Sequence, residues 1–247
     1  MLLVILASML AVFCLYRPDN SAQVVHGQIE AHTDPLPPTE PPTEPPTEPP
    51  TEPPTEPPTE APTEPRVTEP IVVTPIRNLA DLGTLQVPDY VSVQIINVDG
   101  TSRRGEKLTD IKNIVIHYVG NPGATAQQNH DWYTESNSEV SSHFVVGLEG
   151  EVIQCIPLDE KSSASNHRNG DTISIEVCHP DATGKFTTAG YYSVVDLTAW
   201  LVKACGLKVD DVIRHYEVTG KECPMYYVKH EDAWWQLRAD IAARVAQ

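Results

Sequence analysis

A short segment, residues 214–224, holds a histidine and a cysteine that could share one metal ion. His215 and Cys223 are separated by seven residues. An imidazole and a thiolate are ligands that zinc accepts, and a catalytic zinc site needs a third protein ligand plus an open position. His117 is the third candidate, because it follows the apolar residues 114–116, which are typical of a strand buried on both faces. Together the three residues predict one zinc ion.

Glu176 and Lys221 are the candidates for the proton transfer and charge stabilisation that amide hydrolysis requires. Residues 172–178 alternate apolar and polar side chains, which predicts a strand with Glu176 on its polar face. Zinc makes water more acidic and polarises a carbonyl. A nearby carboxylate can take the proton from that water and return it to the leaving nitrogen, while Lys221 stabilises the developing oxyanion. The alternative interpretation is that both side chains are solvated surface charges.

The sequence pattern predicts that these residues are positioned by an α/β domain over residues 87–247. This domain is expected to have a mixed central β-sheet flanked by helices. Apolar spacing, caps and turn residues locate its parts. In chain order we expect a strand around 114–116, a helix from the N-cap Thr125 to Trp132, strands 142–146 and 151–156 with Gly150 at their turn, the strand 172–178, a helix over 189–205 ending at Gly206, and a last helix from about Glu231.

Four motifs follow one another along the chain. They are IVIHYVGNPGATAQQN around His117, SSHFVVGLEGEVIQCIP around His143, DTISIEVCHPD around Glu176, and VIRHYEVTGKECP around His215 and Cys223. In this order they resemble the type 2 N-acetylmuramoyl-L-alanine amidases, which share their fold with peptidoglycan recognition proteins and amidase-type phage lysozymes. The resemblance covers about two thirds of the chain. It implies zinc on His117, His215 and Cys223, with Glu176 as the partner of the reacting water and Lys221 beside the open coordination position.

Two positions depart from the family pattern. One branch has a tyrosine directly before the histidine of the second motif, where this chain has Ser142, so the resemblance leaves the acid–base role to Glu176. Residues 162–171 read SSASNHRNGD, where relatives carry an aromatic-His-Ala-Gly pattern. His143 is expected to orient either substrate or a group behind the metal ligands, without binding the metal itself. His167 and Asn169 are the further candidates for substrate binding.

The first third of the chain differs from this domain in composition. From residue 34 to 70 the chain is almost entirely Pro, Thr and Glu, and it repeats P-P-T-E with a glutamate at every fourth position from 40 to 64. Proline fixes φ and removes the amide donor, so we expect an extended stalk of about 3.1 Å per residue, on the order of 110 Å in all. The apolar run MLLVILASMLAVFCLY predicts a signal peptide or a short membrane anchor over residues 1–17. Residues 18–86 are predicted to form the stalk and linker.

The charge distribution excludes one class of partner. Of the formal net charge of −17, residues 1–86 carry −9, with twelve Asp and Glu against three Lys and Arg, which leaves −8 for the rest. Nucleic-acid binding depends on neutralising phosphates, and the chain has no basic stripe. The expected partner is peptidoglycan, with a monomeric catalytic domain at the outer face of a bacterial membrane or in the wall, and membrane contact through the N-terminal segment only.

Cysteine usage and function leave alternatives open. Apart from Cys14 and Cys223, the chain has Cys155, Cys178 and Cys205. Cys205 falls on an apolar helix face, while Cys155 and Cys178 lie on strands that could be neighbours, so a disulfide between them stays open. The expected activity is zinc-dependent cleavage of the amide between N-acetylmuramic acid and L-alanine. The alternatives are a non-catalytic peptidoglycan-binding module and a zinc peptidase acting on the stem peptide.

Overall fold

The computed structural model describes residues 70–98, 100–135 and 138–247. The predicted signal or anchor and the P-P-T-E repeat lie outside these residues. Among the described helices, none is both long and apolar enough to cross a membrane.

The strands of the described part form one mixed sheet, as the sequence predicted. They are β1 (Val91–Val93), β2 (Asn113–Tyr118), β3 (Phe144–Val146), β4 (Val152–Gln154), β5 (Thr172–Val177) and β6 (Val212–Arg214). Their order across the sheet is β1-β4-β3-β5-β2-β6. β3 and β4 are antiparallel, and the other neighbouring pairs are parallel. Two strands at the edges, β1 and β6, were not predicted, because three residues are too few to show a period.

Helices cover both faces of this sheet. They are α1 (Ala126–Thr134), α2 (Thr188–Cys205), α3 (His215–Thr219), α4 (Met225–Lys229) and α5 (Glu231–Val245). The packed pair α2 and α5 shares one apolar cluster with the inward side chains of β2, β3 and β5. On the opposite face, α1 contributes Ala126 and Tyr133 to a smaller cluster with Val145 and Ile153. The polar side chains predicted to do chemistry belong to this second face.

Local chemistry explains where α1 and α2 begin and where α2 ends. Thr125 accepts a hydrogen bond from the N–H of Gln128 in a capping box, which starts α1 at the predicted cap. Thr187 accepts from the N–H of Gly190 and starts α2. At the other end Gly206 adopts a left-handed conformation with φ of 66°, which glycine adopts at no steric cost. The predicted helix ends are therefore confirmed to within two residues.

The β3–β4 hairpin brings its turn against α2 at Gly150. Gly150 has φ of 79°. A Cβ atom there would lie 2.7 Å from Ser193 Oγ and 2.8 Å from the Ala189 carbonyl oxygen, so only glycine fits. The Ser193 hydroxyl also donates to the Gly150 carbonyl (2.6 Å). This turn locks the hairpin, and with it β3, beside β5.

Residues 70–86, which the sequence assigned to the linker, pack against the helical face. Leu82 is 2% exposed, and the apolar residues around it contact the main cluster. The N–H of Ile76 donates to the Ala204 carbonyl (2.8 Å), and Lys203 Nζ donates to the Ile71 carbonyl (2.9 Å). The packing of this segment was not predicted, because it follows a proline-rich chain and its apolar residues show no clear period. We call residues 70–86 the strap.

The cysteines of the described part are unpaired. Cys155, Cys178, Cys205 and Cys223 are all free. Cys155 and Cys178 lie in the smaller apolar cluster and act as buried apolar side chains. Burial raises the pKa of Cys178 to about 12, so its thiol stays neutral. The disulfide that the sequence left open does not form.

Candidate metal centre

His117 lies on β2 directly beside Glu176 on β5. The two strands are parallel neighbours, and these two residues are partners in their register. The His117 ring is 1% exposed, and its Nδ1 lies 3.8 Å from Glu176 Oε1. The sheet therefore holds a predicted ligand and the predicted base next to each other near the carboxyl ends of both strands.

The other two predicted ligands lie on one segment that follows β6. His215 is the first residue of α3, directly after Arg214. The N–H of Tyr216 donates to the Cys223 carbonyl (3.0 Å), which closes the segment on itself. Gly220, with φ of 76°, ends α3 and lets the chain turn back. The spacing of seven residues thus spans one short helix and a closed turn.

The donor atoms of His117, His215 and Cys223 converge. One donor atom from each residue lies within 4.8 Å of the other two. Cys223 Sγ lies 3.9 Å from His117 Nδ1, and the two imidazole centroids are 4.6 Å apart. Bonds of about 2.0–2.3 Å at tetrahedral angles separate zinc ligands by roughly 3.3–3.8 Å. The observed cluster is slightly wider than this range, and a small inward movement of the side chains would close it.

The hydrogen bonds of the two imidazoles support the same donor set. His215 Nε2 donates to Asn166 Oδ1 (2.8 Å), and this bond leaves Nδ1 as the unprotonated nitrogen. His215 Nδ1 is buried without a hydrogen-bond partner in the described structure. The Nε2 of His117 lies 3.4 Å from Ser165 Oγ. Metal-bound histidines usually bond through the second nitrogen in this way, so the residues fit zinc.

The electrostatics of the cluster also favour a bound cation. Burial, then the nearby His215 and Lys221, hold the pKa of His117 well below its usual value, so the ring is neutral, as a ligand must be. The pKa of His215 is lowered by burial and by Lys221. Burial and the neighbouring Glu176 raise the pKa of Cys223 to about 12. A divalent cation would supply the positive charge that a buried thiolate needs.

The three ligands face a cleft of about 480 Å³ that also contains the predicted base and cation. The Glu176 side chain is 18% exposed, and its Oε2 has no hydrogen-bond partner in the described structure. Burial raises the pKa of Glu176 to about 8, against the opposing effect of Lys221. Lys221 is exposed and lines the same cleft. Trp132 of α1, 49% exposed, forms part of the cleft wall.

Of the two roles expected for His143, the structure favours support of a neighbouring group over contact with substrate. Its ring is fully buried. One nitrogen, Nδ1, lies 3.0 Å from Ser174 Oγ, and the other, Nε2, lies 2.9 Å from the Glu160 carbonyl oxygen. Ser174 precedes Glu176 by two residues on β5 and lies on the same face. His143 therefore supports the strand that carries the base, without facing the cleft.

His167 and Asn169 lie beside the cleft, in a second cavity. We call it the side cavity, and its volume is about 270 Å³. Asn169 accepts a hydrogen bond from the N–H of Ser165 (2.6 Å) and so shapes the 165–169 turn, while His167 is exposed. The side cavity is lined by Arg104, Glu106, Lys161, Ser162, Ser163, Asn166, His167, Asn169 and Gly170.

Sequence reasoning missed Ser165 and Asn166, the residues that contact the two histidine ligands. Asn166 has φ of 52°, a left-handed conformation that asparagine adopts more readily than most residues. The available signal was the departure from the family pattern at residues 162–171, which placed a polar turn where relatives have an aromatic residue. That departure did not show which residues of the turn face the histidines, because hydrogen bonding across the cleft is not visible in a sequence.

Solved structures share this fold. Over 61% of this chain, the catalytic domain of XlyA is 25% identical with a TM-score of 0.54, and the match covers 98% of that structure. A mutant endolysin from Bacillus subtilis is 27% identical over 61% of this chain and 97% of its own, also with a TM-score of 0.54. The described domain therefore has the type 2 amidase fold.

The sequence comparisons agree with the fold. The family model for N-acetylmuramoyl-L-alanine amidase matches residues 107–226, just under half of the chain. N-acetylmuramoyl-L-alanine amidase BlyA of Bacillus subtilis (strain 168) is 28% identical over 172 residues, 61% of this chain and 46% of the relative. N-acetylmuramoyl-L-alanine amidase CwlL of Bacillus licheniformis is 29% identical over 163 residues, 59% of this chain and 45% of the relative. The chain thus spans about half the length of these relatives.

Proposed function

We propose that this domain is a zinc-dependent amidase that cleaves the bond between N-acetylmuramic acid and L-alanine in peptidoglycan. The observation that carries the proposal is the convergence of His117, His215 and Cys223 beside Glu176 in one cleft. The family match over residues 107–226 supports the substrate class. Three protein ligands would leave a position open to water or to a substrate carbonyl, as in catalytic zinc sites.

The residues of the cleft have distinct roles in this reaction. A bound zinc ion would supply Lewis acidity, which polarises a carbonyl and makes water more acidic. Glu176, which lines the cleft and has one carboxylate oxygen without a hydrogen-bond partner among the described residues, would accept a proton from the attacking water and deliver it to the leaving nitrogen of L-alanine. Lys221 Nζ would stabilise the negative charge that develops on the carbonyl oxygen.

The neighbouring residues hold these groups in place. Asn166 and Ser165 orient the two imidazoles from the side away from Cys223. His143 and Ser174 fix the strand that carries Glu176. A site whose donors are held before substrate arrives requires little reorganisation during reaction.

Analysis of the products from purified peptidoglycan tests the assignment of the scissile bond. The expected products, seen by mass spectrometry, are glycan with free lactyl carboxyl groups on muramic acid and peptides with L-alanine at the N-terminus. Cleavage within the stem peptide would instead show a peptidase. Wall binding by the zinc-loaded protein without any released product would show a non-catalytic module.

The location at the cell wall and the spacer role of residues 34–70 are part of the same proposal. An extended tether would set the reach of the domain without contributing to its fold. Deleting residues 34–70 should leave hydrolysis of soluble muropeptides unchanged and reduce hydrolysis of intact wall by cells. Equal hydrolysis of intact wall with and without the segment would contradict the spacer role.

A further inference from the structure

The strap approaches α2 from one direction. The N–H of Ile76 donates to the carbonyl of Ala204, near the carboxyl end of this helix. Pro70 and the three residues after it line a cavity together with Asp196 and Trp200, which lie one to two turns closer to the amino end. The strap therefore runs toward the carboxyl end of α2, and the chain that precedes Pro70 enters from the side of the amino end.

A groove lined by tyrosines lies further along α2 in that direction. We call it the tyrosine groove, and its volume is about 280 Å³. Tyr191 and Tyr192 of α2 and Tyr226 of α4 line it, and all three residues are partly exposed. Tyr192, Asp196 and Trp200 follow one another at intervals of four residues, so they lie on one face of the helix. The tyrosine groove and the strap therefore share one side of α2.

The lining of the tyrosine groove combines aromatic rings with one positive charge. Lys185 lines the groove, and its Nζ lies 5.5 Å from the centre of the Tyr226 ring. Lys185 is exposed and has no carboxylate partner among the described residues. Aromatic grooves bind polyproline II segments, because such segments are already extended and lose little entropy on binding. A proline-rich ligand that carries a carboxylate would match both features of the groove.

The residues that precede the strap have this chemistry. Residues 56–69 read EPPTEAPTEPRVTE, with four prolines and four glutamates against one arginine. Pro62 and Pro65 are three residues apart, which places them on one face of a polyproline II helix, and Glu64 lies between them. This segment therefore offers proline rings to the tyrosines and a negative charge to Lys185.

The length of chain before the strap also suits the tyrosine groove. Tyr192 precedes Asp196 by four residues and Thr188 by eight, so the groove extends from about 6 to about 12 Å from Asp196 along α2. A polyproline II segment advances about 3.1 Å per residue, so the five residues from Pro70 back to Pro65 span up to about 16 Å. Pro65 is therefore within reach of the whole groove.

We propose that the tyrosine groove binds residues 62–66 of this chain, with Pro62 and Pro65 against the tyrosine rings and Glu64 beside Lys185. The bound segment would extend the strap along α2, so the free stalk would end near residue 62 and not at residue 69. Because α2 covers the face of the sheet opposite the metal cleft, the tether would join the domain away from the cleft. This inference does not depend on zinc or on hydrolysis.

Trypsin cleavage after Arg66 reports whether this segment is bound. The purified full chain and a synthetic peptide of residues 56–73 are digested under native conditions, and mass spectrometry follows the cut. A bound segment is cleaved only when it is released, so the full chain should be cut at least about tenfold more slowly than the peptide. Tyr192→Ser and Lys185→Glu should each raise the rate toward that of the peptide. The matched control Lys208→Glu makes the same charge change at an exposed position beyond the other end of α2 and should keep the wild-type rate.

Each outcome decides for or against the tyrosine groove as the binding site. Equal cleavage of the full chain and the peptide would overturn the proposal, and so would protection that survives in both groove variants, since it would then come from the strap alone. Faster cleavage in Lys208→Glu would assign the protection to overall charge and overturn the role of Lys185. Protection that disappears on dilution would assign the groove to a second copy of the chain. Tyr192 and Lys185 lie outside the main apolar cluster, so both variants should keep the wild-type circular dichroism spectrum.

Discussion

The two faces of β2 and β5 show how one pair of strands serves both stability and chemistry. On the face toward α2 and α5, Ile116 and Ile175 are fully buried in the main apolar cluster. On the opposite face the next residues along the same strands, His117 and Glu176, lie 3.8 Å apart at the cleft. Successive side chains of a strand point to opposite faces of the sheet, so a core residue and a cleft residue are adjacent in the sequence. Substitutions on the two faces should therefore have separable effects on folding and on reaction.

The largest expected effect lies on the cleft face, at Glu176. Glu176→Gln preserves the size of the side chain but removes its ability to accept a proton. Turnover of muropeptide should fall by roughly 10²–10⁴, the usual contribution of general acid–base catalysis, while zinc content and thermal stability stay close to wild type. Hydrolysis at the wild-type rate would show that another residue moves the proton.

The opposite face should respond in the opposite way. Ile175→Ala removes a fully buried side chain next to Glu176 and should lower the free energy of unfolding by about 2–5 kcal/mol, because the cavity is only partly refilled. Denaturant titration measures this change. The fraction that remains folded should bind zinc and hydrolyse muropeptide with wild-type turnover. A turnover loss as large as that of Glu176→Gln would show that the two faces are coupled.

Asn166 should have an intermediate effect through the metal. Asn166→Gly tolerates the left-handed backbone but removes the hydrogen bond to His215, so zinc affinity should fall by about 10–100-fold. Asn166→Asp retains an acceptor and should keep most of the affinity. Competition with a chelator measures both variants. Wild-type affinity in Asn166→Gly would show that the bond does not orient the ligand.

The smallest expected effect concerns pH and His143. Burial lowers the pKa of this histidine to about 4, against about 6.5 in an unfolded chain. Below pH 6.5 the unfolded state therefore binds a proton that the folded state does not, so stability falls as pH decreases from 6.5 to 4. The loss from this group should be roughly 2 kcal/mol at pH 5.

A variant isolates this contribution from those of the other histidines. His143→Asn should be less stable at every pH, because it disturbs a buried network, but its loss of stability between pH 6.5 and 5 should be smaller than that of the wild type. Urea titrations at both pH values give the difference. Equal losses in the two proteins would contradict the neutral, buried state of His143.

The sequence predicted those parts of the molecule in which local chemistry and periodicity agree. The alternation of residues 172–178 predicted both faces of β5. Thr125 marked the start of α1 through its capping hydroxyl, and Gly206 marked the end of α2 because it has no side chain. The grouping of His117, His215 and Cys223 followed from ligand chemistry and the family resemblance. In each case the signal lies within a few residues of the chain.

The parts that were missed depend on contacts between distant residues. The strap is held by α2, more than a hundred residues away, and its sequence shows no period. His143 has the same residue type as a ligand or a substrate contact, and only its burial against Ser174 shows that it supports β5. Asn166 meets His215 across the cleft, so neither residue indicates the other in the sequence.

The most direct test of the zinc site is the metal content of the purified chain and of Cys223→Ser. Cys205→Ser is the matched control, because that cysteine lies at the end of α2 in the main apolar cluster and not at the cleft. Wild type and Cys205→Ser should each contain one zinc ion per chain by elemental analysis. Cys223→Ser should contain far less and lack hydrolysis, with an unchanged circular dichroism spectrum. Equal zinc in Cys223→Ser would contradict the assignment of His117, His215 and Cys223 as the metal site.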